Sequence, residues 1–137
     1  MKRTLIDAGP LVAYYNARDR WHLPICDFLS RFRGQFVTTA PVVTEVMWHL
    51  RRSVLVQNEF LCDLAKQLYQ VEPLAPDDFT RISVLNSKYQ DVPSDFADLS
   101  LIVVSERLNI PEILSLDSDF EIYRRLGKRR FKQVFRC

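Results

Sequence analysis

Glycine is scarce in this sequence, with three residues in 137, and no Gly/Ser tract, low-complexity stretch or internal repeat interrupts the chain. A flexible linker between two units is excluded, and the length fits one domain over residues 1–137. Cysteine is scarce too: Cys26, Cys62 and Cys137 are odd in number, widely spaced and form no C-x-x-C pair. That pattern fits neither a disulfide framework nor a zinc site, so a reducing cytoplasm is the expected compartment. No apolar run approaches the roughly 20 residues of a membrane span. The opening MKRTLIDAGPLVAYYN begins with two basic residues, yet Asp7, Gly9 and Pro10 interrupt its apolar part and no small-residue cleavage site follows. Neither export nor a membrane anchor is expected.

Acids are missing after Glu121. Seven of the 19 Lys and Arg residues lie beyond that point and none of the 17 acids does, although the formal net charge is only +2. The remainder is net acidic, 12 basic against 17 acidic residues. An acidic body with a basic tail suits a cation site beside a polyanion-binding edge. The plainer reading is a solvated basic helix and strand.

Apolar runs alternate with helical stripes. Strands are predicted at residues 3–6, 35–38, 71–74, 113–116 and 133–135. Helices are predicted at 11–16, 20–33, 42–55, 57–70, 76–89, 94–108 (with Ser94 as N-cap) and 119–126. Strands separated by helices imply an α/β fold, a mostly parallel central sheet with helices on both faces.

Two acids directly follow strands, Asp7 and Asp117, and parallel strands bring their carboxyl ends to one edge. Two others sit on helices where a carboxylate is out of place. Glu45 borders the stripe Val42-Val46-Leu50, and Asp98 shares a face with Leu101 and Ile102. An acid in an apolar stripe must be paired, neutralised or bound to a cation. Asp95 points to nearly the same side as Asp98. A cap, an ion pair or solvent would explain any one of these acids, but not four so placed. Hard oxygen ligands without Cys or His favour Mg²⁺ or Mn²⁺, which suits phosphoryl chemistry.

The segments IDAGPLVAYYN, TTAPVVTEVMWHLRR, DVPSDFADLSLIVVSERL and ILSLDSDFEIYRR resemble, in this order, the acidic motifs of PIN domains. The likeness is strongest to the short bacterial PIN ribonucleases that act as VapC-type toxins, and it covers nearly the whole chain. It implies a PIN-like fold and a metal-dependent endoribonuclease in which Asp7, Glu45, Asp98 and Asp117 are the catalytic, metal-holding acids. Asp95 and Asp119 would support them, and Ser115 would orient Asp117 or a water. RNA is the implied substrate and a protein antitoxin the implied partner; a homodimer is left open. Ser94 and Leu99 depart from the expected pattern without removing a carboxylate.

Arg124, Arg125, Lys128, Arg129 and Arg130 are the expected grip on RNA phosphates. His22 and His49 read as exposed or hydrogen-bonded side chains, and Met47 and Trp48 as packing. A receiver domain would need an acidic pair after the first strand, and a haloacid-type phosphatase an acid where Gly9 stands. The rival from another class is a non-catalytic PIN-like module that binds RNA or protein; loss of a ligand acid would mark it.

Overall fold

A computed structural model of the chain describes residues 2–135; Arg136 of the basic tail and Cys137 lie outside the described residues. Four parallel pairings build a sheet in the order β3-β2-β1-β4-β7. Its strands are β1 (Arg3–Ile6), β2 (Gln35–Thr38), β3 (Tyr69–Val71), β4 (Glu112–Leu114) and β7 (Lys132–Gln133). Six helices connect them: α1 (Ala8–Tyr15), α2 (His22–Arg31), α3 (Ala40–His49), α4 (Val54–Ala65), α5 (Pro76–Lys88) and α6 (Phe96–Leu108). The chain steps outward from β1 to β3 and then crosses back to β4. Helix α1 packs against α2, α3 and α4, and α5 against α6, the two groups that right-handed crossovers put on opposite faces. Leu5, Ile6, Val37, Ile113 and Leu114 are fully buried between these layers, as central parallel strands require. No helix among the described residues is long and apolar enough to cross a membrane.

Helix α6 is enclosed on every side, from Ala97 through Ser105. Charged residues clamp its exposed end: Arg81 of α5 forks onto Glu106 at 2.9 Å, while Arg107 reaches Asp78 and Glu72. At its other end, Thr39 shares a 2.6 Å hydrogen bond with the buried Ser100. Thr39 occupies the N-cap position of α3 without capping it, because its hydroxyl is committed to α6.

Several predicted boundaries shift. The helix expected at 42–55 ends at His49; Ser53 caps a new helix by accepting from the Val56 amide. The third strand lies at Tyr69–Val71 instead of 71–74, since Gln67 (φ 61°) turns the chain early and Tyr69 packs against Phe36. Asp95, not Ser94, caps α6: its Oδ1 accepts from Asp98 N at 2.8 Å. The last strand is Lys132–Gln133 in place of 133–135.

The largest correction concerns the helix expected at 119–126. A 3-10 turn, Ser118–Glu121, is followed instead by a hairpin of β5 (Arg124–Arg125) and β6 (Arg129–Arg130). A helix would leave Arg125 without the Ser105 and Asn109 acceptors it reaches from the hairpin. Leu126 and Gly127, at φ 53° and 82°, make the tight reversal instead.

The hairpin also removes Arg125 from the expected RNA grip. It is 3% exposed, and its guanidinium donates to Ser105 O and Asn109 Oδ1 at the end of α6. Arg125→Ala should cost about 1–3 kcal/mol in urea unfolding, as a buried hydrogen-bonding group is lost. Arg129→Ala, on the exposed strand, should leave the midpoint unmoved. Equal effects would contradict the anchoring role of Arg125.

Candidate active site

Sheet register builds the site. Ile6 pairs with Leu114, so Asp7 and Ser115, one residue further along each strand, stand side by side. The Asp7 amide donates to Leu114 O at 3.1 Å, prolonging the ladder by one bond. The Asp7 carboxylate then caps α1: Oδ1 accepts from Ala8 N at 2.8 Å and Oδ2 from Ser115 Oγ at 3.0 Å. Ser115 Oγ in turn accepts from Asp117 N at 2.9 Å, so one hydroxyl links both strand-end acids.

Asp98, in the first turn of α6, completes the group. Oxygens of Asp7, Asp98 and Asp117 lie within 4.8 Å of one another. Asp7 and Asp98 are buried, whereas Asp117 opens toward solvent. They face a cleft of about 530 Å³, whose walls include Glu45, Asp95, Asp19 and His49. Glu45 faces the same space from α3 without belonging to the close trio. Asp95 also lines the cleft, with one oxygen already committed to its cap. Asp119 lies outside that lining and contributes its amide, which donates to Asp117 Oδ1 at 2.9 Å.

Like charges this close repel by about 3–4 kcal/mol per pair at an effective dielectric of ~20. Burial pushes the Asp7 carboxyl up to about 7, and the charges of Glu45 and Asp117 add to the rise against the hydrogen bonds from Ala8 and Ser115. Burial likewise raises Asp98 to about 8, reinforced by Asp7 and Asp95. Glu45 moves upward through burial and its neighbours Asp95 and Asp117. Protons or a cation must offset this charge. The all-oxygen donor set, with two of its members out of water, fits a hard divalent ion, Mg²⁺ or Mn²⁺.

Tyr123, which nothing in the acidic pattern marks, donates from its hydroxyl to Asp98 Oδ2 at 3.1 Å. Its only sequence signal is the aromatic position shortly after the last acidic motif. Of the histidines, His22 Nδ1 meets Ala13 O at 2.7 Å, as a hydrogen-bonded side chain should, and His49 is an exposed residue on the cleft wall. Met47 packs against the core as expected, but Trp48 is 61% exposed, with the Arg51 guanidinium 3.8 Å from its ring centre.

The basic tail divides by role. The Arg124 guanidinium is occupied by the carbonyls of Glu121, Ile122 and Tyr123. Lys128, Arg129 and Arg130 are exposed. Arg124, Arg130 and Lys132 line a second cleft that also touches Asp117 and Ser118, so a basic channel adjoins the acidic one.

The raised carboxyls make a pH prediction for metal-free protein. An aspartate in the unfolded chain titrates near 3.8, whereas Asp7 and Asp98 keep their protons up to about 7 and about 8. The folded state therefore binds more protons between these values. Its extra stability is complete below pH ~4 and lost as pH rises through about 7–8. The thermal midpoint in EDTA should fall over that window, and Mn²⁺ should raise it most at the alkaline end. A flat profile in both conditions would contradict the reading of the cluster.

A family model described as the PIN domain matches residues 4–126. Ribonuclease VapC26 of Mycobacterium tuberculosis is 26% identical over 133 residues, 95% of this chain and 98% of that protein. The solved structure of VapC20 from the same species, a sarcin-ricin-loop-cleaving toxin, superposes with a TM-score of 0.75 at 17% identity, covering 87% of this chain and 93% of the other. A toxin–antitoxin complex from Klebsiella pneumoniae gives 0.68 at 13% identity, over 96% and 99% of the two chains. With its parallel sheet, its gathered strand-end acids and a family match over most of its length, the chain belongs to the PIN-domain family.

Proposed function

We propose that this protein is a metal-dependent endoribonuclease that cleaves RNA phosphodiester bonds as the toxin of a toxin–antitoxin pair. The observation that carries this reading is the convergence of Asp7, Asp98 and Asp117 at the carboxyl edge of the sheet. Its likeness to a ribonuclease and to two toxin structures supports it. In this reading Asp7, Asp98 and Asp117 hold Mg²⁺ or Mn²⁺. A bound divalent ion supplies Lewis-acid charge that acidifies water and offsets charge building on phosphate oxygens.

The chain's own residues do the rest. Ser115 fixes Asp7 and Asp117 relative to each other. Glu45, its carboxyl raised by burial, is placed to take a proton from the attacking water. Asp95 and Asp119 supply supporting negative charge and backbone-held geometry. Arg130 and Lys132 bind phosphates in the basic channel and the exposed Lys128 and Arg129 extend the cationic surface along the hairpin, whereas Arg125 serves the fold. The exposed Trp48, Phe79 and Phe96 flank Glu45 and Asp95 and form an apolar groove, the surface this reading gives to the antitoxin.

Cleavage of total cellular RNA should require Mn²⁺ or Mg²⁺ and stop with EDTA. Asp98→Asn should lower it by at least about 100-fold, the scale of losing a central charge-stabilising group, with the fold intact by circular dichroism. A variant that cleaves as well as wild type would sink the assignment. Neutralising Lys128, Arg129 and Arg130 together should weaken RNA binding and flatten its salt dependence by up to about three counterions. An unchanged salt slope would remove the hairpin from the RNA path.

A further inference from the structure

We propose that Tyr123 is a positioning residue for the metal site, its hydroxyl fixing the Asp98 carboxylate by the hydrogen bond to Oδ2. The proposal rests on the metal-nuclease reading above and adds a residue which that reading does not use. A carboxylate turns readily about its terminal torsion, so a ligand acid needs a donor to hold it. Asp7 has two, the Ala8 amide and Ser115 Oγ, and Asp117 has the Asp119 amide. For the Asp98 side chain the donor is Tyr123 Oη, at 3.1 Å. With Oδ2 held, the other oxygen remains for a cation.

Tyr123 is itself immobilised. Its side chain is fully buried, set edge-on between Tyr89 and Phe120 with ring centres 5.0 and 5.1 Å away. Its amide donates to Asp119 O at 3.0 Å, and the next residue's amide donates to Tyr89 Oη at 2.8 Å. One residue further, Arg125 pins the hairpin to the end of α6. Asp98 and the residue that orients it are therefore tied at both ends of the same helix. A buried tyrosine needs a partner for its hydroxyl, and packing alone would have been served by phenylalanine.

The test is a calorimetric Mn²⁺ titration of wild type, Tyr123→Phe and Tyr89→Phe, with RNA affinity measured in EDTA as the companion readout. Tyr123→Phe should weaken Mn²⁺ binding by about 10–100-fold, as loss of a ligand-orienting partner does. It should leave metal-free RNA affinity and the overall fold unchanged. Tyr89→Phe, which keeps the ring packed on Tyr123 and removes only the hydroxyl that accepts from the Arg124 amide, leaves the Tyr123–Asp98 bond in place and should bind Mn²⁺ as wild type does. Equal Mn²⁺ affinity in wild type and Tyr123→Phe would overturn the proposal and leave the nuclease reading standing. Equal loss in both tyrosine variants would assign the effect to anchoring of the hairpin rather than to the bond on Asp98 and overturn it as well. A wild type that binds no Mn²⁺ would remove both readings together. Should Tyr123→Phe fail to fold, 3-fluorotyrosine at position 123 changes the donor and keeps the ring; a shifted Mn²⁺ affinity then supports the proposal and an unshifted one overturns it.

Discussion

Charge repulsion among three carboxylates, held within 4.8 Å of one another with two of them out of water, organises this protein. An unconstrained chain would let such groups swing apart into solvent. Here each is tied to an element that cannot move away: Asp7 directly follows the central strand β1, Asp117 caps the 3-10 turn after the neighbouring β4, and Asp98 sits on a helix buried on all sides. The folded state therefore carries an electrostatic cost that protons offset partly and a divalent cation offsets better. A site built in this way has binding energy stored in its scaffold before substrate arrives.

The supports around the acids serve that constraint. Ser115 links Asp7 and Asp117, Thr39 and Ser100 tie the helix of Glu45 to that of Asp98, and the Arg81–Glu106 and Arg107–Asp78 pairs brace the far end of α6. The hairpin after the last acidic motif belongs to the same framework. Arg125 anchors it from inside while Lys128, Arg129 and Arg130 face solvent. One short segment thus supports the acidic site and presents cations beside it.

Much of this was legible in the sequence because parallel strands place their ends on one edge whatever lies between them. That rule sufficed to bring Asp7 and Asp117 together across 110 positions, and the apolar neighbours of Asp98 marked it as out of place. Element types at the sheet core followed from the alternation of strands and helical stripes. The apolar spacing of the tail imitates a helix, and what prevents one is the reversal at Leu126 and Gly127 and the burial of Arg125 against the end of α6. Arg125 was indistinguishable from its neighbours, since burial of one arginine in a basic run depends on the carbonyls it meets across the fold. Tyr123 was invisible for the same reason: its significance lies in a contact 25 residues away. The hydrophobicity of Trp48 suggests packing, yet α3 turns it outward beside Glu45.

The central claim is tested most directly by anomalous diffraction from crystals of the wild-type protein soaked in Mn²⁺. The account predicts a peak between the carboxylates of Asp7, Asp98 and Asp117, with Glu45 facing it across the cleft. Density at another site, or none among these acids when Mn²⁺ is in excess and the pH is above the range where Asp7 and Asp98 keep their protons, would contradict it.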